Sequence, residues 1–350
     1  MQYAKEIRIL FCADTHLGFD EPVRPRIERR RRGTDFFANF QRVLDSARDR
    51  RIDLVVHGGD LFFRSRVPAS IIDRVYRMLL EFAAHDIPIL IVPGNHERSI
   101  LPSSLFLSHP NIHVFTRPET KVFEFAGTRI AFSGFPCARS EVRQRFGSLI
   151  SDTGWAEVKA SVRFLCLHQS IEGAQVGPLN YTFRRGNDVI PMADLPSAFD
   201  AVLAGHIHRR QILKHRRPDG SSMPIVYPGS IERTSFAERF EPKGYFDLGI
   251  GRRIAGGRCR LKFDFVQLPV RPMEEIVLGD DIDQHGVRFF LISQLARLDP
   301  NSIVCLKCNE GVASEVRGAL TSRLLREVCP ATMNIQLGTH LFGRRKGSVA

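Results

Sequence analysis

Five short runs of this chain are aliphatic or β-branched at consecutive positions, so each must be buried on both faces: IRILFCA (7–13), IDLVVHGG (52–59), IPILIVPG (87–94), VRFLCLH (162–168) and FDAVLAG (199–205). Helical patterns separate the first three. TDFFANFQRVLDSARDR (34–50) places Phe36, Phe37, Phe40, Val43, Leu44 and Ala47 on one stripe, with Thr34 as the expected N-cap. PASIIDRVYRMLLEFAAHD (68–86) opens on Pro68 and turns Ile71, Ile72, Val75, Met78, Leu79, Phe82 and Ala83 inward. A strand, helix, strand, helix, strand order demands parallel pairing through right-handed crossovers. The fold class follows as α/β.

After residue 110 the texture becomes more β-like, with NIHVF (111–115), TKVFEFAGTRIAFSGF (120–135), MPIVYPGSIE (223–232) and GYFDLGI (244–250). A second, mixed sheet packed on the first is expected, giving a two-sheet β-sandwich flanked by helices. Two prolines in QLPVRPMEE (267–275) then punctuate the chain. Beyond them SIVCLKC (302–308) reads as strand, VASEVRGALTSRLLREV (312–328) as helix and TMNIQL (332–337) as strand, a small α+β unit. The expected division is residues 1–268, 269–342 and a loose tail at 343–350.

Each of the five apolar runs hands over to the same kind of chemistry. ADTH gives Asp14 and His16, GGD gives Asp60, PGNHE gives Asn95 and His96, LHQS gives His168, and GHIH gives His206 and His208. All fall at carboxyl ends of predicted strands, where open α/β sheets place ligand sites. Singly they are weak: a lone histidine in a sheet is more often packed than ligating. Jointly they crowd carboxylates and imidazoles at one end of a sheet, which is costly unless something positive satisfies them.

Two carboxylates, one amide oxygen and four imidazoles exceed the ligand set of a single open catalytic ion. Two ions fit better, with Asp60 bridging. Asp14, His16 and His208 then complete one ion, and Asn95, His168 and His206 the other. Such a pair acidifies a shared water and clamps both oxygens of a phosphoryl transfer. Mixed nitrogen and oxygen ligation admits manganese, iron or zinc. His96, beside ligand Asn95, is left to give a proton or hydrogen bond to the leaving oxygen, with Glu97 either orienting it or capping a surface helix.

Charge points the same way. Fifty Lys and Arg against 38 Asp and Glu leave a formal net charge of +12, a field that draws polyanions, nucleic acid first among them. In EPVRPRIERRRRG (21–33) six arginines, Arg29, Arg30, Arg31 and Arg32 consecutive among them, form either a phosphate-contacting arm or a solvated loop. Seven scattered cysteines suggest no disulfide framework, and Cys305 and Cys308 read as strand residues before a zinc pair. With neither a signal-peptide core nor an apolar stretch of spanning length, the cytoplasm is the expected address.

Taken in order, DTH, GGD, PGNHE, His168 and GHIH resemble the calcineurin-like metallophosphoesterase superfamily over roughly residues 7–250. Within it, GDLF followed by PAS, then YTFRRGNDVIP, YPGSIERTSFAE and KGY, is similar to the SbcD type of DNA repair nuclease. That resemblance implies a manganese-dependent nuclease acting on DNA ends, a small capping domain and an SbcC-like SMC-type ATPase partner; a homodimer is a further expectation. Protein serine/threonine phosphatases are a poorer match, lacking GGDLFFRS and PGNHE in favour of GDxVDRG and RGNHE. Phe63 departs from the pattern, since histidine or aspartate commonly stands three residues beyond the bridging acid, and this bears on exonuclease action. Arg184 and Arg185, beside Tyr181 and Phe183, are candidates to hold backbone phosphate and stack a base, or are an exposed strand with core-facing aromatics.

The expected function is DNA cleavage by in-line attack of a metal-bridging hydroxide. Two alternatives stand beside it: a phosphodiesterase for nucleotides or other small phosphoesters, and a non-catalytic scaffold that binds DNA ends.

Overall fold

A computed structural model describes residues 6–20, 31–103, 106–253 and 257–338. Arg29, Arg30 and the 343–350 tail lie outside the described residues. Contacts divide the chain into two compact units, Met1–Phe19 with Asp35–Pro269, and Asp20–Thr34 with Val270–Ala350.

In the larger unit the elements run β1 (Ile7–Cys12), α1 (Gly33–Asp49), β2 (Leu54–His57), α2 (Ala69–Ala83), β3 (Ile89–Ile91), β4 (Ile112–Val114), β5 (Glu119–Phe125), β6 (Thr128–Gly134), α3 (Val142–Asp152) and β7 (Val162–His168). Four two-residue strands follow, β8 (Ser170–Ile171), β9 (Gln175–Val176), β10 (Tyr181–Thr182) and β11 (Val189–Ile190). Then come β12 (Ala201–Gly205), β13 (Gln211–Arg216), β14 (Ser222–Tyr227), β15 (Gly244–Arg253) and β16 (Cys259–Gln267). Two six-stranded sheets result, in the orders β16-β15-β1-β2-β3-β4 and β13-β14-β12-β7-β6-β5. Each has a parallel centre: β1 to β4 in the first sheet, and β6, β7, β12 and β14 in the second.

Period-two alternation builds the layers. Ile7, Ile9 and Phe11 of β1 meet Val162, Phe164 and Cys166 of β7 between the sheets, while Leu10 and Cys12 face the helix layer of α1 and α2. Leu165 and Leu167 turn the other way, onto Phe146 and Ile150 of α3. Each fully buried aromatic here, Phe11, Phe36, Phe40, Phe132 and Phe164 among them, contributes about 1.5–3 kcal/mol of transfer free energy. The protein is a two-sheet α/β sandwich with helices outside.

Three local expectations need correction. NIHVF and GYFDLGI belong to the first sheet rather than the second: β4 extends it in parallel beside β3, and β15 returns antiparallel on β1 with Ile250 opposite Ile7. Thr34 lies inside the first turn of α1, its hydroxyl donating to the Arg31 carbonyl, instead of capping the helix. On α2, Tyr76 is buried and its hydroxyl donates to the Pro102 carbonyl, whereas Ile71, Ile72 and Met78 are only half-buried.

The smaller unit holds β17 (Met273–Leu278), α4 (Val287–Leu295), β18 (Ile303–Cys308), α5 (Ser314–Ala319), α6 (Ser322–Val328) and β19 (Asn334–Leu337). Its three strands are parallel, in the order β17-β18-β19. The helix expected over 312–328 is broken at Leu320, whose ψ of 56° leaves the helical region, and Thr321 restarts it by accepting the Leu324 N–H. Cys305 and Cys308 are buried and three apart on β18, hence on opposite faces.

Candidate metal centre

The carboxyl ends of β1, β2 and β3 in one sheet and of β7 and β12 in the other deliver all seven expected ligands to one place. Beyond β1 and β2 the two loops zip together: Asp14 N–H donates to the Gly59 carbonyl (2.9 Å) and His16 N–H to the Asp60 carbonyl (3.0 Å). Asp14, His16, Asp60 and His206 all have positive φ, between 46° and 85°, which turns each side chain abruptly off its strand. Close approach also requires glycine. A Cβ on Gly94 would lie 2.1 Å from Asp60 Oδ1, and one on Gly59 would lie 2.1 Å from His168 Nδ1.

His16 Nε2 and His208 Nε2 are 2.8 Å apart. Asn95 Oδ1 lies 2.9 Å from both His168 Nε2 and His206 Nδ1. Asp60 Oδ2 is 3.3 Å from His168 Nε2 and 3.8 Å from His96 Nε2, while its Oδ1 accepts the His96 N–H. Asp14 Oδ1 accepts the His206 N–H at 3.0 Å. Three ligand groups thus overlap, Asp14 with His16 and His208, His16 with Asp60 and His96, and Asp14 with Asp60 and His168; within each group the ligand atoms are no more than 4.8 Å apart.

Burial raises Asp14 above the ordinary carboxylate range, although His168 and His208 oppose the shift. Burial also works against ionised Asp60, yet His168, a hydrogen bond to it, His16 and His96 outweigh that and hold it well below. Burial and its histidine neighbours push His16 down, and His206 to about 3. His168 goes the other way: burial opposes its charge, but Asp60 and Asp14 carry it up to about 9. Asp14 Oδ2 and His16 Nδ1 are buried without a hydrogen-bond partner. A crowd of imidazole lone pairs, two carboxylates and an orphaned carboxylate oxygen suits divalent cations with mixed nitrogen and oxygen preference.

Tautomers follow from acceptor-only partners. The Gly58 carbonyl, 2.8 Å away, takes the His168 Nδ1–H, and Glu238 Oε1, 3.1 Å away, takes that of His208. Both Nε2 atoms are thereby left facing the cluster. His96 Nδ1 donates to the Phe63 carbonyl, and the His96 side chain is 35% exposed where that of His168, a candidate ligand, is 0%.

Several contributors were not legible as such. Glu97, expected either to orient His96 or to cap a surface helix, is buried; burial and Asp60 raise it to about 8, and its two oxygens accept the backbone N–H of Phe62 (2.6 Å) and Gly94 (2.8 Å). It braces the loop instead of orienting His96. Behind the cluster, buried Thr15 and His57 are joined at 3.1 Å. Phe63 stands with its ring 5.9 Å from that of His16.

The arginines expected to meet phosphate are not part of the cluster. Arg184 and Arg185 are exposed in the loop after β10, beside Tyr181, which is 60% exposed and 5.3 Å from the Phe183 ring. Arg209 ties that hairpin to the site, donating to Asn180 Oδ1 (2.6 Å) and the Gly177 carbonyl (2.8 Å). Arg32 is buried and Arg31 pairs with Asp20 at 3.3 Å, so neither stands out as an exposed cation. Among the described residues no helix is long and apolar enough to cross a membrane.

The DNA double-strand break repair protein Mre11 of Methanosarcina acetivorans is 29% identical over 241 residues, 69% of this chain and 36% of that protein. Its counterpart in Archaeoglobus fulgidus is 26% identical over 327 residues, 89% of this chain and 70% of that one. That of Halobacterium salinarum is 30% identical over 286 residues, 76% and 64% respectively. The chain thus spans from about a third to about 70% of the length of these relatives. A dimetal phosphatase from Danio rerio, 12% identical, covers 75% of this chain and 98% of its own with a TM-score of 0.46. The model of the calcineurin-like phosphoesterase family matches residues 7–210, more than half of the sequence, a range that spans all seven candidate ligands. On that match, the chain belongs to the calcineurin-like phosphoesterase family.

Proposed function

We propose that this protein is a two-metal phosphodiesterase that cleaves DNA. Asp60 would be shared by two cations, Asp14, His16 and His208 would complete one site, and Asn95, His168 and His206 the other. The observation that carries this reading is the position of Asp60, whose carboxylate belongs to one ligand group with His16 and His96 and to another with Asp14 and His168. When bound, a pair of divalent cations offsets the diester charge and acidifies an attacking water. Manganese is the proposed ion, with Fe2+ or Zn2+ as alternatives.

The chain's own residues supply orientation and a proton. With Nδ1 committed to the Phe63 carbonyl, His96 presents Nε2 on the accessible side of Asp60, where as imidazolium it donates to the departing oxygen. Glu97 keeps the loops bearing His96 and Asp60 in register through the Gly94 and Phe62 amides. DNA as substrate is supported by the relatives' description as DNA double-strand break repair proteins, by the +12 charge and by exposed Arg184 and Arg185. The same reading assigns residues 1–268 to the nuclease and 269–342 to a small capping domain. It includes an SbcC-like ATPase partner, a homodimer and a cytoplasmic setting.

One observation favours a small-diester substrate instead: a cavity of about 330 Å³ lined by His206, His208, Arg209 and Glu241 has room for a single nucleotide. End-labelled duplex and single-stranded DNA, incubated with the protein in Mn2+, Mg2+ or chelator beside a small chromogenic diester, separates the two. Metal-dependent DNA cleavage lost in Asp60→Ala supports the nuclease; turnover of the diester alone selects the smaller substrate, and no turnover in any condition ends the enzymatic reading.

A further inference from the structure

The segment YPGSIERTSFAE and the KGY that follows it are not used by the chemistry above, yet they converge on one ligand histidine. Glu238, 8% exposed, places Oε1 3.1 Å from His208 Nδ1, and the Thr234 hydroxyl donates to the same oxygen at 2.6 Å. The other oxygen accepts from Lys243 Nζ at 2.6 Å. Lys243 is fully buried, and its ammonium also donates to the His208 carbonyl at 3.0 Å. A buried lysine without an anion is costly, and Glu238 is its nearer carboxylate, Glu241 Oε2 lying at 3.4 Å. Together Glu238 and Lys243 grip His208 at both its ring and its backbone. The other histidines are held differently: the remote Nδ1 of His168 meets the Gly58 carbonyl, and His206 Nδ1 faces Asn95 Oδ1 within the cluster.

We infer that Glu238, fixed by Lys243, is a positioning residue that selects the Nδ1–H tautomer of His208 and sets the affinity of the cation site shared with Asp14 and His16. This rests on the two-cation reading. A carboxylate accepting the remote N–H fixes the ring orientation and makes the facing nitrogen more basic, and loss of such partners typically weakens metal binding about 10–100-fold. The second site, with Asn95, His168 and His206, contains no group that Glu238 touches.

The test is titration of the metal-free protein with Mn2+ alone, followed by calorimetry and by electron paramagnetic resonance. The wild type takes up two ions. Glu238→Ala weakens one of them about 10–100-fold and leaves the other unchanged, and Glu238→Gln, which retains an oxygen acceptor, loses less. Equal weakening of both ions assigns Glu238 a general structural role and overturns the inference, as does unchanged affinity for both. A wild type that binds no Mn2+ removes the two-cation reading itself and the inference with it. Should Glu238→Ala not fold, nitrogen–proton correlation spectra of histidine-labelled, Zn2+-loaded wild type decide the matter: a proton on His208 Nδ1 sustains the inference, and a bare Nδ1 overturns it.

Discussion

His16 and His208, 192 residues apart in the chain, bring their Nε2 atoms to 2.8 Å. With Glu238 accepting from His208 Nδ1, both Nε2 atoms converge on one point, where a cation would take the two as ligands. Metal should therefore stabilise the fold. Addition of Mn2+ at about a hundred times its dissociation constant raises stability by about 2.7 kcal/mol for each ion bound, seen as an increase in Tm by scanning calorimetry. In Asp60→Ala, which lacks the shared carboxylate, the increase is largely lost and turnover falls at least about a thousandfold; an unaltered Tm response in that variant contradicts the sharing.

Gly94 tolerates no side chain. A methyl group there would sit 2.4 Å from the Asp60 backbone nitrogen as well as against its carboxylate, and neither can retreat without disturbing the β2 loop. Gly94→Ala is expected to cost about 1–3 kcal/mol in urea unfolding and to reduce Mn2+ uptake. Wild-type stability with full metal content would show that the loop yields freely.

Burial and the nearby His168 lower His57 to about 3, against 6.5 for an unperturbed imidazole. The sign follows directly. Between those values the unfolded chain binds a proton that the folded one refuses, so this group favours unfolding increasingly as pH falls below 6.5. His57→Gln should therefore flatten the acid side of the stability profile of metal-free protein by up to about 1.4 kcal/mol per pH unit, measured by urea unfolding between pH 7 and 5. Parallel profiles for variant and wild type would place the proton elsewhere.

Arg184 and Arg185 are exposed beside Tyr181, on the hairpin that Arg209 anchors. Replacing both with alanine should weaken DNA binding for all sequences alike and reduce the slope of log affinity against log salt by about 1–2. Hydrolysis of a small diester stays at the wild-type rate. An unchanged salt slope would remove these two cations from the DNA path.

The convergence of the candidate ligands was legible because each directly follows an apolar run whose burial the residue types dictate; position along a strand sufficed to place Asp14, Asp60 and His168 at one end of the sandwich. Pairing between distant strands was not. Nothing local to GYFDLGI tells that Ile250 will lie opposite Ile7, and nothing local to NIHVF separates extension of the first sheet from entry into the second. The bracing role of Glu97 was not legible because its two partners are backbone amides, which leave no mark on residue type. Glu238 and Lys243 escaped for a related reason: their link to His208 is made only after the chain has folded around the site, 30 and 35 residues further on.

Four residues of the centre, Asp14, His16, Asp60 and His206, occupy left-handed backbone conformations. Aspartate and histidine enter that region more readily than most side chains, yet each still carries roughly 1 kcal/mol of tension. Glycine would release it at every one of the four positions and would forfeit a ligand each time. Selection for heat tolerance alone should thus drift toward glycine there and yield sturdier, inert descendants: endurance and chemistry make opposite demands on these same four corners.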